Sequence, residues 1–384
     1  MKQIVSIVFV AVLLVMSSCN QQQVKLSVSN PSDLQRSNEL VRVSLTDKGF
    51  DCSHLVVKEN VNGLEVPSQL LDSDGDDKVD AITFMVNLEA QEEKTFLIVP
   101  GETTKITDEV RTFARFVPER TDDFAWENDR VAFRTYGPEA QRMAEAGEKG
   151  GTLSSGIDCW LKKVDYSIIN KWYQGNVDEP GYYHIDHGEG LDNYHVGPSR
   201  GCGATGVMFD GKLFAAFNFT AHKVHNNGPL LSEFTLNHAP YQVGASTVKE
   251  TKHVSIQLGT NFTKYVVEVE GADTLTVGLT LHDQLGKVTE NSTWINYHTP
   301  HKGEELNTAM VAHPDYLLST SQIKSDIKDE SHALMHLKVI DGKVEFYAGF
   351  TWSGSKQYGD NDAWESYLNS FAEKIKYPIS VKFR

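Results

Sequence analysis

The stretch 263–281, TKYVVEVEGADTLTVGLTL, holds two short segments rich in β-branched residues, 263–270 and 275–281, with Gly, Ala, Asp and Thr between them. Short segments of this kind, bounded by Gly or Asp, are typical of β-strands. The same signal recurs along the chain at 130–136, 206–218, 230–237, 332–340 and 344–350. Asp-Gly pairs at 210–211 and 341–342 suit tight hairpins. The pattern predicts a large antiparallel β-structure over residues 110–384.

A second, smaller group of strand signals precedes it at 40–45, 79–86 and 95–99, and ends near Pro100. A chain of 384 residues exceeds what one core normally supports, so two domains are expected. We therefore predict an all-β protein with a small N-terminal β-sandwich over 24–105. Two helices are predicted, at 137–148 and 363–375. The second has an apolar stripe at helical spacing, which indicates packing on the sheet.

The N-terminus resembles a bacterial export signal. Its apolar run from Ile4 to Met16 is too short to cross a hydrocarbon core of about 30 Å. Ser17 and Ser18 before Cys19, with polar residues after it, resemble a lipoprotein cleavage site. We predict that residues 1–18 are removed and that Cys19 is lipidated, which places the protein in the periplasm or at the outer membrane. An ordinary cleaved secretory signal is the alternative.

The charge of the chain argues against nucleic acid as a partner. Its formal net charge is -16, and loss of the signal removes Lys2, one of 36 basic residues set against 52 acidic ones. A local pocket of cations can still bind an anionic substrate within the screening length. The expected contact with a membrane is through the lipid anchor on Cys19 alone.

The segment GYYHIDHGEGLDNYHVGPSRGCG at 181–203, hereafter the histidine-rich loop, is the strongest candidate for chemistry. It has almost no aliphatic residues, so we expect a glycine-hinged loop that displays its side chains outward. His184, Asp186, His187 and Glu189 also permit a divalent-metal interpretation.

A second acidic segment suggests calcium. Asp72, Asp74, Asp76 and Asp80 form an oxygen-rich turn that departs from the EF-hand pattern, because Asp77 replaces the usual glycine. We predict a structural Ca²⁺ there, with an unoccupied acidic turn as the alternative.

Several motifs together resemble one family of proteins encoded in bacterial polysaccharide-utilisation loci, a domain-of-unknown-function family that includes an ulvan oligosaccharide dehydratase. The motifs are the histidine-rich loop and DSDGDDKVD at 72–80, DDFAWENDR at 122–130, AFRTYGP at 132–138, GIDCWLK at 156–162 and YAGFTW at 347–352. The resemblance covers essentially the whole mature chain.

The resemblance implies a secreted dehydratase that acts on uronate-containing oligosaccharides. It would remove water across C4 and C5 of a non-reducing terminal uronic acid and leave a 4,5-unsaturated sugar, with no cofactor required for the elimination. By analogy it also implies a mutarotase-like supersandwich for the large domain, although a shared fold alone does not establish elimination.

Such an elimination needs a cation for the carboxylate, a base at C5 and an acid at the C4 hydroxyl. We predict Arg200 as the carboxylate partner and His187, Tyr194 and His195 as proton-transfer residues. Six further residues are predicted to contact the substrate, with aromatic core as the alternative for the tryptophan and tyrosine among them and an ion pair with Glu127 or Asp129 as the alternative for the arginine. They are Arg134, Lys171, His184, His222, Trp126 and Tyr173.

Two other classes of function remain open. A glycoside hydrolase needs two opposed carboxylates, which Asp186, Glu189 and Asp192 could supply. A polysaccharide lyase acting on the same glycans is closely related to the dehydratase. A surface glycan-binding lipoprotein without turnover needs only aromatic residues and the anchor.

Overall fold

The computed structural model describes residues 23–46, 54–102 and 110–384. The predicted signal segment 1–18 and Cys19 lie outside these residues. The all-β prediction is confirmed, because strands dominate the described residues and three α-helices accompany them. None of these helices is both long enough and apolar enough to cross a membrane.

The N-terminal sandwich packs two antiparallel sheets around one apolar core that contains Leu26, Val41, Phe84 and Ile98. Its strands are β1 Val24–Ser29, β2 Arg36–Ser44, β3 Leu55–Glu59, β4 Glu65–Val66, β5 Ser68–Leu71, β6 Ala81–Leu88 and β7 Glu93–Pro100. One sheet has the order β2-β6-β5. The other has the order β1-β7-β3-β4 and is extended at β1 by β27, Ser380–Phe383. The C-terminal strand, which the domain prediction assigned to 110–384, thus lies in the N-terminal sandwich.

The large domain has three antiparallel sheets. The strands of the first are β8 Phe113–Val117, β9 Asp123–Glu127, β10 Ala132–Thr135, β11 Asp158–Lys162 and β12 Gly190–Leu191, in consecutive order. The second has the order β14-β13-β20-β25-β24, with β13 Cys202–Phe209, β14 Lys212–Phe214, β20 Thr274–Thr280, β24 Leu317–Ile323 and β25 His332–Lys338.

The third sheet has nine strands in the order β15-β16-β18-β19-β26-β23-β22-β21, with β17 paired to β18. Their bounds are β15 Phe219–Asn227, β16 Leu231–His238, β17 Tyr241–Val243, β18 Ser246–Gln257, β19 Phe262–Glu270, β21 Lys287–Glu290, β22 Trp294–His301, β23 Glu304–Val311 and β26 Lys343–Trp352. The inner faces of all three sheets enclose one core, which includes Trp126, Val277 and Val267. The two halves of 263–281 lie on opposite sides of it, in β19 and β20.

Two of the three α-helices in the described residues cover outer faces of these sheets. α3, Asn361–Lys376, begins at Asp360, whose carboxylate accepts the Ala363 N–H at 2.8 Å, and packs Trp364, Leu368 and Ala372 against the nine-stranded sheet. This confirms the predicted packing stripe. The shorter α1 spans Pro138–Glu145.

A helix that was not predicted, α2 Ile169–Asp178, covers the outer face of the β8–β12 sheet with Ile169, Trp172 and Tyr173. Because that sheet is covered on both faces, β9, β10 and β11 are buried along their whole length. Polar side chains on these strands are therefore held in a dry environment, which determines the chemistry of the site.

Candidate active site

A cleft of about 460 Å³ lies where β10 and β11 meet the histidine-rich loop. Eight residues of the loop line it, and the others come from the surrounding strands and turns. The side chains used below are Arg120, Arg134, Tyr136, Asp158, Tyr183, His184, Asp192, Tyr194 and His195. The loop and the AFRTYGP and GIDCWLK motifs therefore meet at one place.

The loop does not display all its side chains outward, and that prediction is wrong for Tyr183, Asp192, Tyr194 and Arg200, which are buried. The loop forms a 3-10 helix at Tyr182–His184 and pairs β12 with β11, so alternate side chains pack against the protein. The loop histidines stay accessible at its outer side.

Arg134 lies at the centre of the cleft floor and binds three carboxylates. The register of β10 and β11 pairs Arg134 with Asp158, whose Oδ2 is 2.6 Å from Nη2. Nη2 also donates to Asp192 Oδ2 at 2.8 Å, and Nη1 lies 3.5 Å from Asp123 Oδ2. This excludes the alternative partners Glu127 and Asp129. Arg134 is buried and already bound, so its role is to organise the carboxylates of the floor.

The carboxylates of the floor hold protons more strongly than exposed ones. Burial raises the pKa of Asp123 to about 6, although Arg134 and Arg120 oppose the shift. Burial likewise raises the pKa of Asp158, and that of Asp192 well above its ordinary value. The positive charge of two guanidinium groups does not balance the negative charge of three ionised carboxylates. The cluster therefore favours keeping a proton on one of these carboxyl groups near neutral pH.

The raised pKa of Asp123 predicts how stability changes with pH. The native state binds this proton more tightly than the unfolded chain, whose ordinary pKa is 3.8. The contribution of Asp123 to stability is therefore complete below about pH 4 and is lost as the pH rises through about 6. Asp123→Asn should remove up to about 3 kcal/mol of this pH dependence.

Urea unfolding of the two proteins at a series of pH values measures this effect. Asp178→Asn, an exposed change of the same charge at the end of α2, is the control and should keep the wild-type slope. Parallel pH profiles for wild type and Asp123→Asn would contradict the assignment. Some pH dependence remains in the variant, since Asp158 and Asp192 shift in the same direction.

Two histidines of the cleft each have one ring nitrogen fixed by an acceptor. His184 Nδ1 lies 2.6 Å from the Asp192 carbonyl oxygen, so Nδ1 carries the proton and Nε2 keeps its lone pair. His195 Nε2 lies 3.0 Å from Asp329 Oδ2, which leaves Nδ1 as the basic nitrogen. Their side chains are 56% and 49% exposed. Each histidine thus has one accessible ring nitrogen that is not engaged by these acceptors.

Arg120 is the cationic side chain of the cleft that the sequence analysis missed. It ends the 3-10 helix Pro118–Arg120, and its Nη1 makes only long contacts of 3.4 Å, to Thr121 Oγ1 and the Gly150 carbonyl. Unlike Arg134, it forms no ion pair within 4.0 Å among the described residues. Its guanidinium is therefore free to bind an anionic group in the cleft.

Tyr194 lines the cleft, but its hydroxyl faces the interior. Burial raises its pKa well above the ordinary value, and its hydroxyl oxygen is buried without a hydrogen-bond partner among the described residues. The ring packs edge-on against His282, with centroids 4.7 Å apart. The structure therefore does not place the Tyr194 hydroxyl where it could protonate a substrate.

Arg200 does not line the cleft. It is 6% exposed, and its Nη1 donates to Ser155 Oγ at 2.8 Å and to the Thr205 carbonyl at 3.2 Å. Burial lowers its pKa to about 10. The structure corrects the prediction that Arg200 binds a substrate carboxylate, because its guanidinium donates to acceptors in the protein interior.

The other predicted residues surround the cleft without lining it. His187 stacks on Tyr182 with centroids 4.0 Å apart and bonds to its carbonyl. Lys171 binds Glu189 at 2.6 Å on the outer face of α2. His222 stacks on Phe116, at 4.7 Å between centroids, on strand β15. None of these three is brought to the site.

Two predicted aromatic platforms are core residues. Trp126 is fully buried and its Nε1 donates to Thr263 Oγ1 at 2.9 Å. Tyr173 is buried under α2, where its hydroxyl donates to Asp123 Oδ2 at 3.1 Å. Both residues therefore belong to the aromatic core, which is the alternative given above. Tyr173 also supports the floor of the cleft from behind.

The two proposed metal clusters differ. Within the described residues, the carboxylates of Asp72, Asp74 and Asp76 are the one group of three or more potential ligands that converge, within 4.8 Å of one another. Asp80 is directed elsewhere and accepts the Ser73 N–H at 2.8 Å. The alternative set in the histidine-rich loop does not converge.

Comparisons with solved structures give low scores. A glycosyl hydrolase family 38 protein and an α-mannosidase, both from Enterococcus faecalis, align with TM-scores of 0.43 and 0.44 at 10% and 12% identity. Each alignment covers 94% of this chain, which spans about half the length of the two structures, 47% and 46%.

Sequence comparisons match the chain over nearly its whole length. It is 41% identical over 395 residues to "Uncharacterized protein P7" of Formosa agariphila, with all of both chains covered. The model of one family matches residues 28–381. The chain therefore belongs to the family described as "Domain of unknown function (DUF4861)".

Proposed function

We propose that the protein is a carbohydrate-active dehydratase, a carbon–oxygen lyase that removes water across C4 and C5 of a terminal uronic acid. The observation that carries the proposal is the joint presence of His184, His195 and Arg120 on the accessible wall of one cleft. The resemblance to the ulvan oligosaccharide dehydratase supports a uronate-ended oligosaccharide, such as one derived from ulvan, as the substrate class.

The roles follow from the chemistry of elimination. Removing the C5 proton places negative charge beside the substrate carboxylate, so a cation must bind that carboxylate first. Arg120 is the unpaired guanidinium in the cleft and takes this role in place of Arg200. His184 or His195 then accepts the C5 proton at its free ring nitrogen. The Asp192 carbonyl orients His184, and the Asp329 carboxylate orients His195.

Hydrolysis is supported less well by the same geometry. A glycosidase needs two accessible carboxyl groups on opposite sides of the bond. Asp186 binds Lys163 at 2.5 Å, Glu189 binds Lys171, and Asp192 is buried against Arg134. Each of the three carboxylates that were candidates for hydrolysis is therefore already paired with a cationic side chain.

One assay separates the three classes of function. Saturated oligosaccharides with a uronic acid at the non-reducing end are incubated with the protein, and ultraviolet absorbance reports the new conjugated double bond. Absorbance without new reducing ends is the expected result. Reducing ends without absorbance would select a hydrolase, and tight binding with unchanged substrate would select a glycan-binding protein.

We also propose that the protein is exported and anchored by a lipid on Cys19. The support is the sequence of the N-terminal segment, which precedes the described residues. Wild type should incorporate labelled palmitate in a bacterial host and fractionate with membranes. Cys19→Ser should do neither, and a labelled, membrane-bound Cys19→Ser protein would refute the anchor.

The acidic turn is proposed to hold a structural Ca²⁺ through Asp72, Asp74 and Asp76. Carboxylate oxygens are the ligands that calcium prefers. The turn is already ordered by backbone donors, since Asp72 accepts the Gly75 N–H at 2.6 Å, and Lys78 binds Asp76 at 2.8 Å. Calcium therefore has to displace this ammonium group, which weakens but does not prevent binding.

Calcium at about 100 times its Kd should stabilise the native protein by about 2.7 kcal/mol. Thermal unfolding with added calcium, and again after chelation, measures the effect. Asp74→Ala, which removes a ligand oxygen, should abolish the response, whereas Asp80→Asn should retain it. Unchanged melting temperatures in wild type under both conditions would contradict the calcium site.

A further inference from the structure

The proposed elimination still requires an acid for the C4 hydroxyl, which is a poor leaving group. The predicted acid, Tyr194, has its hydroxyl in the interior. A different tyrosine, Tyr183, lines the cleft together with the two guanidinium groups of Arg120 and Arg134. Its hydroxyl oxygen is 3.4 Å from Arg134 Nη1.

The hydrogen-bonding rules leave the proton of Tyr183 without an acceptor. A guanidinium group only donates, so the phenol oxygen is the acceptor in its contact with Arg134. Among the described residues the Tyr183 hydroxyl donates no hydrogen bond to a protein acceptor. Its proton is thus available to an oxygen that enters the cleft.

The neighbouring tyrosines differ in this respect. Tyr136 donates to Asp158 at 3.3 Å, and Tyr173 donates to Asp123 at 3.1 Å. Both protons are committed to buried carboxylates. Tyr182 stacks on His187 and does not line the cleft. Tyr183 therefore has the available proton, the cleft position and the cationic surroundings together.

The ring of Tyr183 is also rigidly held. It packs against Trp160 at 5.1 Å and edge-on against Tyr173 at 6.0 Å between centroids. The 3-10 helix Tyr182–His184 places it next to His184, with ring centroids 4.6 Å apart. An acid and a base thus occupy adjacent positions of one short helix.

We propose that Tyr183 is the general acid of the dehydration, an inference that rests on the proposed function. His184 or His195 takes the C5 proton, and the C5–H electron pair forms the C4=C5 double bond. The C4–O bond breaks, and the leaving oxygen takes the Tyr183 proton and departs as water. The phenolate is stabilised by Arg120 and Arg134 until the histidinium returns its proton through solvent.

Tyr183→Phe, assayed on two substrates, tests this role. One is a saturated uronate-ended oligosaccharide with a hydroxyl at C4, and the other carries fluorine there, which leaves as fluoride without needing a proton. On the hydroxyl substrate the variant should lose roughly 10²-fold in kcat with KM little changed. On the fluoro substrate the loss should shrink to less than about tenfold.

The ratio of the two rates does not depend on how much of the variant is folded. Equal losses on both substrates, or no loss on the hydroxyl substrate, would overturn the role of Tyr183 while leaving the dehydratase intact. If wild type forms no unsaturated product from either substrate, the proposed function fails and the role of Tyr183 fails with it. Tyr173→Phe, which removes a phenol behind the floor, is the control and should treat the two substrates alike.

Discussion

Replacing both His184 and His195 with alanine should reduce formation of the unsaturated product by roughly 10²- to 10⁴-fold. These are the two accessible side chains of the cleft that keep a basic ring nitrogen, because the Asp192 carbonyl and Asp329 fix the other one. The two single variants identify which histidine removes the C5 proton. That histidine should account for nearly the whole loss, since residues that act in one step are not additive.

The matched control is His187→Ala, in the same loop but outside the cleft. His187 is also bonded through one ring nitrogen to a carbonyl, so the change removes a similar side chain in a similar bond. Its rate should stay close to wild type. A loss in His187→Ala comparable to that in the double variant would show that the site has been misplaced.

Asp329→Asn separates orientation from proton transfer at His195. The amide keeps the size of the side chain but removes the charge that holds the Nε2 proton. If His195 is the base, kcat should fall and the acidic limb of its pH profile should move. If His184 is the base, the profile should stay unchanged.

Arg134→Met should lower the free energy of unfolding by about 3–5 kcal/mol, because it leaves buried carboxylates without their cation. Arg134 contacts Asp123, Asp158 and Asp192, all of which are at most 1% exposed. Arg134→Lys should be intermediate, since an ammonium group cannot present the planar fork that reaches several partners. Urea unfolding at neutral pH measures both variants.

Arg142→Met on α1 is the control for this loss. Arg142 also binds two carboxylates, Glu139 at 2.7 Å and Glu148 at 2.9 Å, but it is 52% exposed. Exposed pairs contribute about 0–1 kcal/mol. Losses of similar size at the two arginines would contradict the buried-charge account. The Arg134→Met loss should also shrink as the pH falls, because protonation removes the charge left unpaired.

Much of the fold follows from local pattern. The two strands at 263–281 and the stripe on α3 were predictable because strand and helix periodicity act over a few residues. α2 was not, since Ile168, Ile169 and Gly175 are poor helix formers. Its first N–H groups are accepted at 3.0 Å by Glu127, a residue about forty positions earlier. Only the tertiary structure supplies that cap.

The site was predictable in outline and not in detail. Clustered His, Tyr and Asp in one aliphatic-poor segment drew attention to the loop, and residues of the loop line the cleft. Which side chains enter the cleft depends on the register of β10 against β11 and on how the 3-10 helix turns Tyr183 and His184, and no single segment encodes either. Arg120 and Asp123 carried one usable signal, because Asp123 lies within the DDFAWENDR motif at 122–130 and Arg120 lies two residues before it.

The pairing of β27 with β1 has a consequence for how the protein can be divided. The last strand, β27, is the edge strand of this sheet and pairs with β1, the first strand. Nearby, Arg36 donates to the Tyr377 carbonyl at 2.6 Å, which also connects the N-terminal sandwich to the C-terminal segment. A fragment ending near residue 105 would lack one of its strands and expose β1 as a bare edge, which invites association between copies. The N-terminal sandwich thus contains strands from both ends of the chain, so cutting the chain at one point cannot separate the two domains as complete units.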